Sequence, residues 1–356
     1  MKRRSEKSSG ETQKKLSVGE TTRQPVPLAA IPGEFETQET LVFGCGQLVR
    51  YFPQLFVDFV RVTHERVQLV GIIAPEWRRL ADLLVGAAGL PGDCVEFVCG
   101  TTSSVWSRDW SPTFGYDKNG DRCQYYFDRS HMRHRDDVVA RKIMQERFPG
   151  PAIDVPLTME GGNFLSNGRG LILTSNTVEH ANASRYKRAQ ISQLIESVFS
   201  TNQWAALVQL HGERTGHVDL FATFLAPDFL LLGEVDKYDD KISSDALDNA
   251  AAKLDGLSTA AGKLQVARIP MPSSRDTYYR SYNNVIFANK TLLVPTFPAF
   301  DPKLDCRVLD MYREYLPGYE VIGIDLGELD KKGGGLHCLS TNVPPQKRAE
   351  ESPSKS

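Results

Sequence analysis

Short apolar runs alternate with segments of helical spacing along most of this chain. The runs are rich in β-branched residues and end at turn residues, a pattern typical of buried strands. Strands are therefore predicted at 67–74, 171–174, 206–210, 264–269 and 291–294. Apolar positions three and four residues apart predict helices at 52–65, 130–147, 188–200, 244–254 and 302–315.

The last of these helices has a defined start, because Asp301 is a good N-cap and Pro302 suits the first helical turn. No Gly/Pro/Ser-rich linker interrupts 30–342, so the alternation predicts one α/β domain over that range, although the length alone would allow two. Residues 1–25 and 343–356 are too polar to offset the entropy lost on ordering, and we expect both to be disordered tails.

Composition narrows the class of protein. The chain has 356 residues, is 41% hydrophobic and carries a formal net charge of −2, so it can bury a large core and has no bias toward nucleic acid or an anionic membrane. No apolar run approaches the roughly 18 residues of a membrane span, and the polar N-terminus has no signal-peptide core. We therefore expect a cytoplasmic protein whose partners include neither nucleic acid nor membrane. Six cysteines without a CxxC pair indicate free thiols in a reducing compartment and no structural zinc site.

One of those cysteines, Cys338, ends the run GGGLHC at 333–338. Glycine lets the backbone approach a substrate closely, which a nucleophilic thiolate requires. The alternative is an inert core cysteine that follows an ordinary glycine loop.

Three further motifs place polar residues where a hydrophobic core would not need them. GHVD contains His217 and Asp219, which share one face if the segment is extended. EGGN places Glu160 before a glycine pair, and WSRDWSP places Asp109 between two tryptophans. Taken singly, the histidine fits a satisfied core residue, Glu160 fits a turn, and Asp109 fits a structural partner of Arg108.

In this order, the segments WSRDWSP, EGGN, GHVD, SYNN and GGGLHC resemble the guanidine-modifying enzymes, most closely the bacterial peptidylarginine deiminase and agmatine deiminase group. The resemblance covers about 33–343. It implies the pentein fold, a five-bladed α/β propeller of ββαβ-like units with pseudo-fivefold symmetry and a central site. The spacing agrees with one central polar position in each unit. Steps of 51, 57, 67 and 54 residues separate Asp109, Glu160, His217, Asn284 and Cys338.

The chemistry follows from the nature of a guanidinium, which is planar, cationic and a poor electrophile. An enzyme that attacks its carbon needs carboxylates to bind the N–H edges, a thiolate to add, and an acid to protonate the departing ammonia. We predict that Cys338 attacks the carbon and forms a covalent S-alkylthiouronium intermediate. His217 protonates the ammonia and then deprotonates the hydrolytic water. A bound cationic substrate would also lower the pKa of the cysteine thiol. This chemistry requires no metal or organic cofactor.

The resemblance implies roles for the carboxylates. Asp109 and Asp219 would bind the guanidinium nitrogens. Glu160 would fix the catalytic histidine and contact the substrate.

Three neighbours complete the predicted site. Asn284 would orient the substrate or the catalytic loop, although a turn asparagine fits the same position. Trp106 would form a wall of the substrate channel or only pack in the core. His337 points away from the cysteine if the segment is extended, so we expect it to support the site from outside.

Departures from the family pattern bear on the substrate. Agmatine deiminases usually carry an N-terminal segment rich in His, Thr and Trp that helps form the agmatine pocket, whereas 33–41 reads GEFETQETL. Asn167-Gly168 replaces the usual Asp-Gly, and ANASR at 181–185 replaces a common Asn-Arg-Asn-Pro. The best-known bacterial peptidylarginine deiminases in turn lack the glutamate that Glu160 retains. The predicted partner is therefore agmatine, another small-molecule guanidine or protein arginine, and a homo-oligomer stays open.

Two other classes of protein fit the same residues. An amidinotransferase of the same fold would keep the cysteine, histidine and carboxylates but would pass the amidino group to an amine. A metal-binding protein would use the cluster as ligands instead. Its candidate ligands are His217, Asp219, Glu160, His337 and Cys338.

Overall fold

The computed structural model describes residues 31–129 and 134–348, and the predicted tail at 1–25 lies outside these ranges. The helices are α1 (Cys45–Tyr51), α2 (Pro53–Thr63), α3 (Pro75–Ala87), α4 (Ser107–Trp110), α5 (His134–Arg147), α6 (Thr177–Asn182), α7 (Arg188–Val198), α8 (Lys241–Leu254), α9 (Pro302–Tyr315) and α10 (Leu336–Leu339). Within the described ranges, none of these helices combines the length and the apolarity that a membrane crossing requires.

The strands are short and mostly buried. They are β1 (Thr40–Gly44), β2 (Gln68–Ile73), β3 (Glu96–Cys99), β4 (Thr113–Tyr116), β5 (Arg122–Asp128), β6 (Ala152–Thr158), β7 (Leu165–Ser166), β8 (Leu171–Ser175), β9 (Gln203–Leu207), β10 (Ala222–Ala226), β11 (Phe229–Glu234), β12 (Ser258–Thr259), β13 (Gly262–Lys263), β14 (Gln265–Pro270), β15 (Ile286–Ala288), β16 (Thr291–Thr296), β17 (Glu320–Asp325) and β18 (Ser340–Val343).

Five sheets share one pairing pattern, in which an antiparallel pair of strands is extended by a parallel third strand. Their orders are β4-β5-β6, β7-β8-β9, β10-β11-β14, β15-β16-β17 and, with one more parallel strand, β18-β1-β2-β3. A parallel pair needs a crossover of about a dozen residues or more, which explains the helix before each third strand. The result is a mixed α/β fold, and the last sheet joins β18 to β1 from the other end of the chain.

Several helices agree with the hydrophobic spacing. The predicted helix at 302–315 coincides with α9, and Asp301 caps it by accepting a hydrogen bond from the Leu304 N–H. The predictions at 52–65, 188–200 and 244–254 correspond to α2, α7 and α8 with shifted ends. Of the prediction at 130–147, residues 130–133 lie outside the described ranges and the rest forms α5.

One predicted strand is displaced, and two segments for which the sequence analysis considered an extended conformation are turns. The strand predicted at 206–210 is displaced, because β9 runs from Gln203 to Leu207. GHVD is not extended, since Val218–Leu220 form a 3-10 turn. The segment around Cys338 is also helical, as α10, rather than extended. These turns span only three or four residues, too few for a hydrophobic period to reveal them.

The largest hydrophobic core supports one of the site loops. Tyr312 of α9 is fully buried there, and its hydroxyl donates to the Tyr282 carbonyl oxygen at 2.8 Å. The Tyr282 hydroxyl donates in turn to Asp305 Oδ1 at 2.7 Å. These bonds fix the backbone immediately before Asn283 and Asn284.

Six residues assigned to the C-terminal tail from the sequence, 343–348, contact the domain in the structure. Val343 pairs with Thr40 at the end of β18. Arg122 Nη1 donates to the Pro344 carbonyl oxygen at 2.7 Å. The remaining tail residues, 349–356, lie outside the described part of the chain.

Candidate active site

The predicted site residues lie on five turns that occupy equivalent places in the fold. Each turn comes directly before the first strand of one of the five sheets. The turns and the strands that follow are α4 with Asp109 before β4, Glu160 and the 3-10 turn Gly161–Asn163 before β7, His217 and Asp219 before β10, Asn284 before β15, and α10 with Cys338 before β18. Five segments far apart in sequence therefore contribute to one site.

The second glycine of EGGN marks the point where three of these turns meet. A Cβ atom at that position would lie 2.6 Å from His217 Nδ1, 3.1 Å from Asp219 Oδ2 and 3.2 Å from Asp109 Oδ1. Any side chain there would displace the site residues, so the motif needs glycine at this position. The N–H of this residue, Gly162, also donates to Asp109 Oδ1 at 3.2 Å.

His217 lies between two carboxylates and is only 5% exposed. Its Nε2 is 3.0 Å from Glu160 Oε2, and its Nδ1 is 3.6 Å from Asp109 Oδ1. Burial, the largest influence, would lower the pKa of His217, but the neighbouring carboxylates outweigh it and raise the pKa to about 9. The imidazole is therefore a cation at neutral pH and can donate a proton.

Cys338, on α10, lies beside Asp219 and Asn284. Its Sγ is 3.7 Å from Asp219 Oδ2 and 3.6 Å from Asn284 Oδ1. Burial, followed by the charges of Asp219 and Asp109, raises the pKa of the Cys338 thiol well above its usual range. All six cysteines are free, and this thiol stays protonated at neutral pH until something offsets the nearby negative charge.

Asn284 connects the cysteine to the aspartate. Its Oδ1 accepts a hydrogen bond from the Cys338 N–H at 3.4 Å, and its Nδ2 donates to the Asp219 carbonyl oxygen at 3.4 Å. Its own carbonyl oxygen accepts from the His337 N–H at 3.1 Å. The side chain and backbone of one residue thus hold the turns of β10 and β18 together.

A chain of buried and half-buried charges continues beyond Asp219. His337 Nδ1 is 2.7 Å from Asp219 Oδ2, and His337 Nε2 is 2.8 Å from Glu34 Oε2. Glu34 also pairs with Arg108, whose Nη1 lies 2.6 Å from Oε1. Burial would raise the pKa of Glu34, but the charges of Arg108 and His337 outweigh it and hold the pKa at about 2.

This chain of charges corrects and extends the sequence analysis. His337 Nδ1 contacts Asp219 Oδ2, the same oxygen that lies 3.7 Å from Cys338 Sγ, and both His337 and Cys338 belong to the helical α10. The side chain of Arg108 binds Glu34 and, through Nη2, Asn342 Oδ1 at 2.8 Å. Glu34 was missed, because a lone glutamate in a loop has no period or motif. The only signal was its place in the segment that departs from the agmatine deiminase pattern.

The site opens into a cleft of about 610 Å³. Its floor carries Asp109, Glu160, His217 and Cys338, and Trp106 forms part of its wall. The Trp106 ring also packs against the glycine run, where a Cβ at Gly334 would lie 2.7 Å from the ring. The rim comprises residues 212–215, 277–279 and 330–333. Trp106 therefore both forms a wall and packs, the two alternatives that the sequence left open.

The floor has the geometry to hold a cation. Ligand atoms of Asp109, Glu160 and His217 lie within 4.8 Å of one another. Because His217 is protonated at neutral pH, a metal ion would first have to displace its proton. An organic cation with several N–H donors needs no such displacement and matches the carboxylate acceptors directly.

Comparison with known proteins gives consistent matches over most of the chain. The family model described as Porphyromonas-type peptidyl-arginine deiminase matches residues 37–344. The agmatine deiminase of Stutzerimonas stutzeri (strain A1501) is 27% identical over 301 residues, which are 73% of this chain and 80% of that protein. The agmatine deiminase of Pseudomonas aeruginosa (strain LESB58) is 26% identical over 291 residues, which are 70% of this chain and 77% of that protein.

Solved structures show the same fold. The agmatine deiminase of C. jejuni superposes with a TM-score of 0.74 at 22% identity, covering 93% of this chain and 100% of that one. The agmatine deiminase of Enterococcus faecalis gives a TM-score of 0.78 at 19% identity, covering 89% and 96%. At these identities the likeness shows the fold alone.

Proposed function

The chain belongs to the Porphyromonas-type peptidyl-arginine deiminase family, and we propose that it hydrolyses the guanidinium group of an alkylguanidine to a ureido group and ammonia through a covalent intermediate on Cys338. The membership confirms the resemblance predicted from the five motifs and, with it, the class of a guanidine-modifying deiminase that acts on C–N bonds. The roles of individual residues are our proposal.

One observation carries this proposal: a thiol, a protonated imidazole and two carboxylates, those of Asp109 and Glu160, line the floor of one cleft, and a third carboxylate, that of Asp219, lies 3.7 Å from the thiol sulfur. The carboxylates supply acceptors for the N–H groups of a planar cation. Burial first, and the negative floor after it, keep the thiol protonated in the free protein. A guanidinium placed against Asp109 and Asp219 would offset that charge and lower the pKa of the thiol.

Substrate binding therefore prepares the nucleophile. As the guanidinium enters, the Cys338 thiol releases its proton to solvent. The positive charge of the guanidinium replaces that of the released proton. The thiolate then adds to the guanidinium carbon and forms a neutral tetrahedral adduct. The thiolate forms only when the substrate is bound, which protects it from other electrophiles.

His217 supplies the proton for the first departure. It protonates one NH2 group of the adduct, the C–N bond breaks, and NH3 leaves with the bonding electron pair. The remaining carbon is a cationic S-alkylthiouronium attached to Cys338. Glu160, which contacts His217 Nε2 at 3.0 Å, holds the imidazole in place during the transfer.

Water completes the reaction. The now neutral His217 accepts a proton from a water molecule whose oxygen attacks the thiouronium carbon. The new tetrahedral adduct loses its hydroxyl proton, the C–S bond breaks, and the ureido product leaves while the thiol regains a proton. Asn284 keeps the Cys338 backbone in position throughout, since it accepts from that N–H at 3.4 Å.

We extend the proposal to the architecture. The five sheets would be the blades of a propeller around a pseudo-fivefold axis that passes through the cleft floor, within a single domain over 30–342. The shared pairing pattern supports this arrangement, as does the position of a site turn before the first strand of every sheet. Six free cysteines support the reducing, cytoplasmic location expected from the sequence.

The substrate class is an alkylguanidine small enough to reach the floor. Agmatine, free arginine derivatives and protein arginine share the reacting group. The relatives are named for agmatine and the family model for peptidyl-arginine, so the names include both small-molecule and protein substrates. The reaction needs no second copy of the chain.

Product analysis tests the proposed function. The protein is incubated with agmatine, arginine, methylated arginines, 4-guanidinobutyrate and an arginine-terminated peptide, and ammonia and ureido product are measured together. We expect equimolar release of both from at least one compound, and a Cys338 adduct trapped by rapid quench and mass spectrometry. A natively folded protein that gives no ureido product from any of them would refute the proposal.

The same assay also tests the metal-binding alternative, in which Asp109, Glu160 and His217 would be the metal ligands. The deiminase proposal predicts full turnover after exhaustive chelation, with no stoichiometric metal in the purified protein. Turnover that is lost on chelation and restored by one equivalent of metal would favour the alternative.

A further inference from the structure

A buried ion pair lies next to the site turns and takes no part in the proposed reaction. Arg280 is 5% exposed and Asp330 is 8% exposed. Arg280 Nε donates to Asp330 Oδ2 at 2.6 Å. Asp330 Oδ1 is also buried and accepts no hydrogen bond within the described part of the chain. The charge of this carboxylate is therefore compensated mainly by Arg280.

The pair connects two of the five site turns. Arg280 is four residues before Asn284, and Asp330 is eight residues before Cys338. Both charged residues line one small interior gap together with Asn284 and the last two glycines of the glycine run. The ion pair thus joins the turn before β15 to the segment that leads into α10.

The glycine run has little means of holding its own position. Its three residues, 333–335, have no side chains to pack, and glycine loses more conformational freedom on ordering than any other residue. Its path is nevertheless restricted, because a Cβ at Gly335 would overlap Asn284 Oδ1. Residues 331–333 are exposed, so Asp330 is the first buried residue before the run. Contacts of Asp330 therefore fix the beginning of the run, and α10 and β18 fix its end.

The other contacts of Arg280 extend this support to the rim. Its Nη1 pairs with Asp276 Oδ2 at 2.9 Å, and its Cζ lies 4.4 Å from the centre of the Phe300 ring. Asp276 directly precedes residues 277–279, which form part of the rim. Thr277 has a φ of 68°, a strained conformation for a β-branched residue. One buried guanidinium thus binds a strained rim loop and the nucleophile segment at once.

We propose that Arg280 is a positioning residue, which fixes the glycine run through Asp330 and so places the Cys338 sulfur where it can attack the guanidinium carbon. This inference rests on the proposed function, because it names what positions the nucleophile of the same site. A buried ion pair often adds little net stability compared with apolar side chains of similar size. Its directed hydrogen bonds instead define one geometry, which apolar packing does not. Loss of the pair should therefore affect the rate of reaction more than folding.

Replacing both charges separates positioning from stability. The double substitution Arg280→Met and Asp330→Leu leaves neither charge unpaired, so we expect a cooperative unfolding midpoint close to that of the unaltered protein. With the guanidine that is hydrolysed fastest, kcat should fall by about 10²-fold and KM should change by less than about threefold. A sulfur displaced by about 1 Å reacts slowly, whereas the floor carboxylates still bind the guanidinium. An unchanged kcat in the natively folded double variant would overturn the proposal.

A conservative variant tests the same contact even if the double variant does not fold. Arg280→Lys keeps a positive charge beside Asp330, but an ammonium lacks the planar group that binds Asp330 and Asp276 together. We expect kcat about tenfold below that of the unaltered protein, again with little change in KM. A kcat equal to that of the unaltered protein would refute the requirement for the directed contact.

Arg147 and Glu96 provide a matched control. Arg147 donates two hydrogen bonds of 2.8 Å to Glu96, and its Cζ lies 5.1 Å from the centre of the Phe148 ring. It therefore makes the same kinds of contact as Arg280, but between α5 and β3 and outside the cleft lining. Arg147→Met with Glu96→Leu should leave kcat and KM unchanged. An equal loss of kcat in this variant would assign the effect to the general loss of an ion pair and refute the positioning role.

Alkylation reports the position of the sulfur without hydrolysis. 2-Chloroacetamidine carries an amidinium that the floor carboxylates bind, and attack by the Cys338 sulfur forms a thioether, releases chloride and leaves the thiol proton to solvent. Peptide mass spectrometry compares this adduct with the adduct at the exposed thiol of Cys99 in the same sample. The ratio of the two rates should fall by about tenfold or more in the Arg280→Met and Asp330→Leu variant. An unchanged ratio would mean that the sulfur has not moved, and would refute the proposal.

The two measurements separate this inference from the proposed function. Release of ureido product at the same kcat by the unaltered protein and the double variant would leave the deiminase proposal intact and refute the role of Arg280. Suppose instead that the unaltered protein gives no ureido product from any guanidine, but the Cys338 alkylation ratio still falls in the double variant. That result would support the positioning role and refute the reaction.

Discussion

At the floor of the cleft, each charged side chain contacts a group from another part of the chain, whereas Arg214 and Lys332 at the rim contact no charged partner among the described residues. Asp219 shows the first case, because its Oδ2 contacts both Cys338 Sγ and His337 Nδ1. Such contacts fix the positions of the floor groups, and the pKa values of His217 and of the Cys338 thiol are raised there. The two rim cations make no such contacts, so the floor suits bond making and the rim suits selection between substrates.

The largest effect should come from the floor nucleophile. Cys338→Ala should lower kcat by on the order of 10⁴-fold or more, because no other group can form the covalent intermediate. A haloacetamidine should alkylate Cys338 in the unaltered protein, and peptide mass spectrometry locates the adduct.

Cys45 provides a matched control for this prediction. It is also a buried thiol with a raised pKa, but it lies in the largest hydrophobic core. Cys45→Ala should cost about 1 kcal/mol of unfolding free energy and retain activity. Substantial turnover by Cys338→Ala, or alkylation at Cys45 instead, would remove the distinction between the two thiols.

The next largest effect concerns the acceptors on the floor. Asp109→Asn and Asp219→Asn should each lower kcat/KM by about 10²- to 10³-fold, because an amide presents donors where the guanidinium needs acceptors. Asp245→Asn, which breaks a surface pair with Lys241, should change neither kcat nor KM. Steady-state rates with 4-guanidinobutyrate and agmatine give the comparison, and normal kinetics for Asp109→Asn would exclude that carboxylate from the site.

The pH dependence of the reaction follows from the two raised pKa values. The free protein holds the Cys338 proton and the His217 proton below pH 9, since the pKa of His217 is about 9 and that of the thiol is higher. The reaction needs the thiolate together with the imidazolium, so one proton must be lost. We expect kcat/KM to rise about tenfold per pH unit up to about pH 9 and then to level off. A flat profile between pH 6 and 8 would mean that the thiolate already exists in the free protein.

The smallest effect on turnover is expected for substitution of Glu34, which lies behind the floor of the cleft. Glu34→Gln leaves Arg108 and His337 without their shared anion and should reduce the free energy of unfolding by about 3 kcal/mol near neutral pH. We expect only about a tenfold loss of kcat, because Glu34 acts on Asp219 through His337 and touches no substrate.

Acid titration checks the same contact. The folded pKa of Glu34, about 2, is below its ordinary value of 4.5, so its contribution to stability is present above pH 4.5 and is lost as the pH falls toward 2. The gap between unaltered protein and Glu34→Gln in denaturant unfolding should close over that interval. Glu320→Gln, which alters an exposed pair with Arg66, should show a much smaller gap at every pH.

The sequence predicted the floor better than it predicted the rim or the support behind the floor. Motifs with glycines and paired polar residues identified Glu160, His217 and Cys338, because close backbone approach restricts which residues can stand there. Glu34 had no such restriction around it, and its role depends on a contact with His337 across the fold. In the sequence, no motif distinguishes Arg214 and Lys332 from ordinary solvated charges.

Long helices of the fold could be predicted from the sequence, whereas its short turns could not. Helices such as α9 carry a cap and four turns of regular spacing, so their limits could be read directly. The turns that hold His217 and Cys338 are too short for any period, and their shape is set by the sheets that follow them. The α/β class and the family were confirmed, whereas the assignment of chemical roles stays a prediction.

The pairing of β18 with β1 also determines when during synthesis the protein can become active. Thr40 pairs with Val343, so this pairing cannot form until all the residues between them have been made. α10, which carries the proposed nucleophile Cys338, directly precedes β18 and is made in the same late step. Such distant pairings form slowly, because the entropy of closing a long loop is lost before the contacts that stabilise the pairing can form. A growing chain therefore contains Asp109, Glu160 and His217 before it acquires the Cys338 thiol, and the proposed reaction cannot begin until β18 has been made.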